Sequence, residues 1–217
     1  MMIYNVLKEE IINCEIVPGT KITEEDLVKR FNQSRTPLRG VIARLCKDGL
    51  LEVKPKRGTF VTKIDVKSIY DSMDIRIATE GYIYSRIIGK LAKEDFDNLD
   101  KILEEQKKII EMDSSIEKSR LLYENDNKFH KMFFILAGKE SVWNYMYEFT
   151  TPLNRARIMA NLRENENVKE IYKAHLLIVE YLKKGDLKKL QAVNEDHLRR
   201  GFDGMESVIK RYPDYFI

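Results

Sequence analysis

The sequence has few cysteines, prolines and glycines and no long apolar run, and each of these features is typical of a particular class of protein. Among its 217 residues are only two cysteines, Cys14 and Cys46, too few for the disulfide framework of a small secreted domain. It has five prolines and ten glycines, while 43% of its residues are hydrophobic, which excludes collagen-like and low-complexity chains. The longest apolar run, residues 132–138, is far shorter than the ~20 residues that cross a bilayer.

The N-terminus also lacks the apolar core of a secretory signal. Lys8, Glu9 and Glu10 interrupt the hydrophobic residues within the first ten positions. We therefore expect a cytoplasmic protein that has no membrane partner. At ~100–200 residues per domain, the length allows one large domain or two modest ones.

Charge is distributed unevenly along the chain. Residues 1–28 carry two Lys or Arg against six Asp or Glu, whereas residues 29–67 carry eleven against three. The formal net charge of the whole chain is only +3, so the basic segment stands out from a nearly neutral remainder. Such a segment indicates a small anion-binding module, although a charged run can also be a solvated surface.

The first 65 residues predict a winged helix-turn-helix domain. After a first helix near residues 2–13, Thr23 and the acidic residues behind it predict a helix that runs through about Phe31. Ser34 is placed to cap a second helix, which Gly49 ends. Two short strands, at residues 51–53 and 59–62, then predict a two-stranded wing.

Residues 66–217 predict a second, all-helical domain. No strand-like alternation of any length follows Ile64, and the helical segments are separated by short polar or glycine-containing turns. Short connections predict an antiparallel bundle, so the fold class is mainly α. The predicted helices cover residues 66–90, 94–112, 116–138, 140–159, 165–184 and 186–211.

The basic segment predicts a DNA-reading surface. Arg35 and Thr36 lie in the first turn of the second helix of the helix-turn-helix, and Arg39 lies one turn later. The start of that helix enters the major groove, where arginine can pair with guanine. Gly58 would let the turn of the wing approach the DNA backbone closely. Further basic residues would extend the footprint through phosphate contacts: Arg44, Lys47, Lys54, Lys56 and Arg57.

All three histidines lie in the predicted bundle. Asp126 and His130 are four residues apart and so share one helix face, while His175 and His197 lie on two further helices. Apolar neighbours place these imidazoles toward the interior. Three imidazoles and one carboxylate suit zinc, with nickel or manganese as alternatives. A single buried histidine is more often a packing residue, so an inert helical scaffold stays open as the alternative.

Two sets of motifs carry a resemblance to known families. Pro18-Gly19, residues 22–27, residues 34–39, residues 48–50 and residues 57–61 resemble the GntR family of transcriptional regulators. The resemblance implies a winged-helix domain that binds a palindromic operator as a homodimer. The sequence departs from the family at Cys14, where glycine is usual, and at Gly40, where glutamate is common.

The second half resembles the FCD effector-binding domain of the FadR-like subgroup. The resemblance rests on Arg76 with Glu80, on residues 126–130 and 185–186, and on His175 and His197. It implies an all-helical bundle that holds a metal ion through one Asp and three His. Lys139 departs from the usual asparagine at its position. The metal ligands that this resemblance implies are Asp126, His130, His175 and His197.

A metal held in this way would leave room for a small carboxylate effector, and a buried arginine could pair with that carboxylate. The candidates are Arg76, Arg155 and Arg157. We therefore expect an effector-controlled DNA-binding regulator and not an enzyme. The alternatives are a constitutive DNA-binding dimer and a metal-dependent helical hydrolase. The sequence lacks the zinc-protease spacing His-Glu-x-x-His, and Asp196-His197 reverses the His-Asp order of helical phosphohydrolases.

Overall fold

The computed structural model of the chain describes residues 2–113, 115–161, 168–200 and 205–217. The chain divides into two compact units, and each has its own interior. The first unit consists of Met1–Val66 together with Ile209–Ile217, and the second consists of Lys67–Val208.

The first unit is a three-helix arrangement with a small sheet. Thr23 begins the second helix by accepting a hydrogen bond from the backbone amide of Asp26 at 3.1 Å, as its position predicts. Leu38 and Leu45 are completely buried on one face of the third helix. The elements are α1 (Met2–Ile12), β1 (Lys21–Ile22), α2 (Glu24–Phe31), α3 (Arg35–Lys47), β2 (Leu51–Lys54) and β3 (Gly58–Val61).

The sheet contains one more strand than the sequence predicts. Strands β2 and β3 form the expected antiparallel hairpin, and β1 pairs with the other edge of β3, which gives the order β1-β3-β2. In β1, Lys21 lies opposite Phe60. Two residues are too few to show the alternation of a strand, so this pairing has no local sequence signal.

The end of the chain packs on the first unit. Ile64 forms a parallel bridge with Phe216, and its amide donates to the carbonyl of Tyr215 at 2.9 Å. The amide of Ile217 donates to the carbonyl of Ile64 at 3.1 Å, and the amide of Val66 donates to the carbonyl of Ile217 at 3.0 Å. This differs from the expectation that all residues after 65 belong to the second domain.

The second unit is entirely helical over the residues that the structure describes. Its interior is built from aliphatic and aromatic side chains, with Tyr84, Phe129 and Phe134 completely buried. The helix of residues 93–111 contacts those of residues 116–136 and 168–184, and the helix of residues 168–184 also contacts that of residues 187–200. The helices are α4 (Val66–Ile87), α5 (Lys93–Glu111), α6 (Ile116–Leu136), α7 (Glu140–Phe149), α8 (Thr151–Asn161), α9 (Val168–Lys184), α10 (Leu187–Arg200) and α11 (Met205–Arg211).

Two of the predicted helices differ from those in the structure. The segment predicted as one helix over 140–159 is two helices. Helix α7 ends at Phe149, with Thr150 as its C-cap, and Pro152 lies in the first turn of α8, where its missing amide costs no hydrogen bond. The segment predicted over 186–211 contains α10 and α11, and residues 201–204 lie outside the described ranges, as does the predicted start at residue 165. No helix in the described ranges is both long and apolar enough to span a membrane.

Two glycines of the first unit should respond oppositely to alanine. Gly40 lies inside α3 and has open space where a Cβ would project, so Gly40→Ala should raise the free energy of unfolding by about 0.5–1 kcal/mol. Gly58 has a φ of +117°, and a Cβ there would lie 2.8 Å from Cε of Lys21. Gly58→Ala should therefore lower the free energy of unfolding, by about 1–3 kcal/mol. Urea denaturation measures both changes, and shifts of the same sign would contradict the assigned backbone surroundings.

Candidate functional site

The first candidate site is the N-terminal end of α3. Arg35 and Thr36 are exposed in its first turn, and Arg39 is exposed one turn later. Leu38 is completely buried between them and anchors the helix to the interior of the unit. Ser34 occupies the N-cap position, but its side chain makes no capping hydrogen bond, which differs from the sequence expectation. The first amides of α3 and the helix dipole therefore face solvent beside two cationic side chains.

The predicted DNA-contacting arginines lie in different surroundings. Nε of Arg39 donates to Oε1 of Glu24 at 2.7 Å, and this hydrogen bond lowers the pKa of the Glu24 carboxyl. The guanidinium of Arg44 lies 3.8 Å from the centre of the Tyr4 ring. The Tyr4 hydroxyl donates to Asp48, and burial together with Asp48 raises the pKa of Tyr4 to about 12. Arg44 is thus engaged in a cation–π contact within the unit.

The turn of the wing adds further cationic groups. Lys56 and Arg57 are exposed in the turn, Lys56 has a positive φ of 61°, and the amide of Arg57 donates to the carbonyl of Lys54 at 3.0 Å. Sequence reasoning missed Lys21, whose side chain runs along Gly58 at the same turn. Only the pairing of β1 with β3 brings Lys21 there, and no motif within the sequence signals it.

The second candidate site is a cluster of four buried side chains in the second unit, which we call the histidine cluster: Asp126, His130, His175 and His197. Asp126 and His130 come from α6, His175 from α9 and His197 from α10. One ligand atom from each residue lies within 4.8 Å of the others. The structure therefore brings together all four residues that the sequence singled out.

The closest atoms in the histidine cluster are imidazole nitrogens. Nε2 of His197 lies 3.1 Å from Nε2 of His130 and 3.2 Å from Nε2 of His175. Oδ1 of Asp126 lies 3.4 Å from Nε2 of His175, 3.9 Å from Nε2 of His130 and 4.0 Å from Nε2 of His197.

The outer nitrogens of two histidines have fixed partners. Nδ1 of His130 lies 2.9 Å from Oε2 of Glu80, and Nδ1 of His175 lies 2.9 Å from Oε1 of Gln106. Both oxygens can only accept a hydrogen bond, so we assign the ring protons to Nδ1. The Nε2 lone pairs of both rings then face Nε2 of His197, which can donate to only one of them. The four ligand atoms therefore include more lone pairs than N–H groups that could donate to them. Such an excess of lone pairs is typical of a cation site.

Burial keeps the imidazoles of His175 and His197 neutral. It lowers the pKa of His175 to about 4 and lowers the pKa of His197 well below its usual range. Burial alone would raise the pKa of Asp126, but the neighbouring Arg157 guanidinium outweighs it and holds that pKa well below its usual range. For Glu80, His130 and Arg76 outweigh burial and lower the pKa to about 2. At neutral pH the cluster therefore offers neutral imidazoles at His175 and His197 and an ionised carboxylate at Asp126, the protonation states that bind metals.

Two guanidinium groups lie next to the histidine cluster. Arg76 on α4 donates from Nε to Oε1 of Glu80 at 2.6 Å, and its Nη2 lies 3.8 Å from Oδ2 of Asp126. Arg157 on α8 donates from Nη2 to the same Oδ2 at 2.5 Å. Nη2 of Arg76 and Nη1 of Arg157 are buried donors without a hydrogen-bond partner among the described residues. Arg155 is also buried, but two residues before Arg157 it lies on a different face of α8.

Sequence reasoning missed Gln106 as part of this site. Gln106 is 1% exposed and lies on α5 in register with the buried residues Leu99, Ile102 and Ile109. A polar residue at a core position of an amphipathic helix requires a buried partner. That anomaly is the signal by which the sequence could have identified Gln106.

Both units match models of known protein families. The model of the bacterial regulatory proteins of the gntR family matches residues 1–61, and the model of the FCD domain matches residues 71–200. The HTH-type transcriptional repressor RspR of Escherichia coli K12 is 26% identical over 216 residues, which cover 99% of this chain and 92% of that protein. The uncharacterized regulator YdhC of Bacillus subtilis 168 is 29% identical over 184 residues, covering 85% of this chain and 80% of YdhC.

A solved structure supports the same fold. The structure of E. coli McbR/YncC superimposes with a TM-score of 0.72 at 15% identity and covers 97% of each chain. The predicted mainly α fold class and the family resemblance are both confirmed. The chain thus belongs to the gntR family of bacterial regulatory proteins, as a DNA-binding transcriptional regulator that carries an FCD domain.

Proposed function

We propose that a homodimer of this protein binds a palindromic operator and that a small carboxylate effector controls its operator affinity. The effector would bind beside a divalent metal ion in the second unit. The observation that carries the proposal is the histidine cluster, where four ligand atoms lie within 4.8 Å of one another next to two guanidinium groups with unpaired donors.

The size and chemistry of the histidine cluster favour a first-row divalent ion. Ligands placed about 2.1 Å from one centre stand about 3.0–3.4 Å apart, depending on the geometry. Five of the six separations run from 3.1 Å between imidazoles to 4.0 Å between Asp126 and His197, and all ligand atoms lie within 4.8 Å of one another. Three nitrogens and one oxygen suit zinc, and nickel or manganese would also accept this donor set. When bound, the ion would act as a Lewis acid toward an oxygen ligand.

The metal is tested by elemental analysis of protein purified without an affinity tag. We expect about one divalent ion per wild-type chain and its loss in His175→Ala, because three donors bind more weakly than four. Glu80→Gln removes the charged acceptor at Nδ1 of His130 and should weaken metal affinity by about 10- to 100-fold. Glu195→Gln is the matched control, since Glu195 is exposed on α10 two residues before His197.

The control should keep the wild-type metal content, and circular dichroism verifies that each variant is folded. Wild-type protein that contains no metal, even after exposure to zinc, nickel and manganese, would contradict the metal site. The second unit would then be a scaffold, and the protein a constitutive DNA-binding dimer.

The unpaired donors beside Asp126 favour a carboxylate as the effector. A buried guanidinium that lacks part of its hydrogen bonds is costly, and an incoming carboxylate could accept from it. Nη2 of Arg76 and Nη1 of Arg157 both belong to groups that contact Asp126. We infer that these two arginines bind the effector, whereas Arg155 is the weaker candidate because it lies on another face of α8.

The exposed end of α3 and the wing turn supply the DNA-binding surface. Arg35, Thr36 and Arg39 would reach base edges or phosphates, and Lys56 and Arg57 would contact phosphates near Gly58. Arg44 would contribute less, because its guanidinium stacks on Tyr4. One winged helix reads only a half-site, so a palindromic operator requires two copies of the chain.

Helix α4 offers a route from the effector to the DNA-binding unit. It begins at Val66, where the sequence passes from the first unit to the second, and it carries both Arg76 and Glu80. Effector contact with Arg76 would reorient α4 and so change the spacing of the two recognition helices in the dimer. Effector and operator would then change each other's affinity by the same factor, typically about 5- to 150-fold.

The effector is tested by fluorescence anisotropy with an operator selected from a randomised duplex pool. We expect one of a panel of small carboxylic acids to change operator affinity by about 5- to 150-fold in the wild type. Arg157→Gln should shift the dose of acid required by at least about tenfold, since a charge-assisted hydrogen bond is lost. Arg199→Gln is the control, because Arg199 is exposed and paired with Glu195 on α10.

An unchanged dose response in Arg157→Gln would place the effector elsewhere. Operator affinity that no acid alters would leave the constitutive dimer as the function. Recovery of a chemically altered acid would indicate the metal-dependent hydrolase instead.

A further inference from the structure

A carboxylate holds one of the proposed DNA-reading arginines. Glu24 is the first residue of α2, and its Oε1 accepts from Nε of Arg39 on α3 at 2.7 Å. The side chains are 31% and 65% exposed, so the pair lies on the surface that presents α3. Leu38, the neighbour of Arg39, is completely buried and fixes the backbone of α3 at this point.

The hydrogen bond restricts the guanidinium more than it stabilises the fold. Exposed ion pairs contribute little to stability, because solvent screens them and ordering two side chains costs entropy. Here Nε, the donor nearest the backbone, is the atom that Glu24 engages. No described residue accepts a hydrogen bond from the two terminal amino groups of Arg39. Those two parallel donors are what a bidentate contact with guanine requires.

We propose that Glu24 is a positioning residue for sequence recognition, which holds Arg39 with its two terminal amino groups available to a base edge. This inference rests on the proposed role of Arg39 in DNA binding. A planar guanidinium held in one orientation loses little further freedom on pairing with a base. Without Glu24, the long side chain of Arg39 would also reach phosphates, which carry no sequence information.

The negative charge of Glu24 and its positioning of Arg39 affect different properties of DNA binding, so an experiment can separate them. Any carboxylate on this surface repels phosphates, so its removal raises affinity for every duplex alike. Loss of positioning instead lowers the ratio of specific to non-specific affinity. Glu25 is the matched control, because it is the next residue of α2, carries the same charge, is exposed, and pairs with Lys29 at 2.9 Å rather than with Arg39.

The experiment uses the full-length protein and a randomised duplex pool, sequenced after selection. Affinities for the selected duplex and for a scrambled duplex are then measured for the wild type, Glu24→Ala and Glu25→Ala. We expect Glu25→Ala to strengthen binding to both duplexes and to leave their ratio within about twofold of wild type. Glu24→Ala should lower the ratio by about 5- to 20-fold, a part of the discrimination that one bidentate pair supplies.

Two further variants identify the cause. Glu24→Gln keeps an oxygen that can accept from Arg39 and should restore part of the ratio. In an Arg39→Ala background, Glu24→Ala should leave the ratio unchanged, because the residue that it positions is gone. Equal ratios for Glu24→Ala and Glu25→Ala would overturn the inference, and so would full sequence preference in Arg39→Ala. A wild-type protein without any preferred sequence would contradict the proposed function itself.

Discussion

The charge of one buried carboxylate determines much of the interior of the second unit. Asp126 is 5% exposed, and an ionised carboxylate at that depth must be surrounded by donors and cations. Arg157 from α8 and Arg76 from α4 meet this requirement. Arg76 in turn pairs with Glu80, which also lies 2.9 Å from Nδ1 of His130. Polar contacts thus link helices whose apolar faces alone would pack in several registers.

Most of the regular structure was predictable because its signals are local. Thr23 with the acids that follow it defines the start of α2, and the β-rich residues beside Gly58 define the wing. Strand β1 and the bridge between Ile64 and Phe216 depend on partners far along the chain, and the sequence does not show them. Pro152 signals that residues 140–159 form two helices. The helical periodicity of the hydrophobic residues alone does not show this division.

The candidate site was also only partly predictable from the sequence. The scarcity of histidine and the spacing of Asp126 and His130 indicated the histidine cluster, and the family resemblance supported it. The sequence could not show which oxygens engage the outer nitrogens, because Glu80 and Gln106 lie fifty and sixty-nine residues from their histidines. It also could not show that Tyr4 engages Arg44 or that Glu24 engages Arg39, since both are side-chain contacts between different helices.

The pairing of Ile64 with Phe216 has a consequence for how the protein is made. The whole second unit lies between these two residues in the sequence, and loop closure over such a distance is slow compared with local helix formation. Residues 1–61 leave the ribosome early, yet residues 209–217 of the same unit are synthesised only after the whole second unit. The first unit therefore acquires its contacts with residues 215–217 only after translation has passed the helices of the histidine cluster, so a partly synthesised chain lacks part of the unit that carries the winged helix.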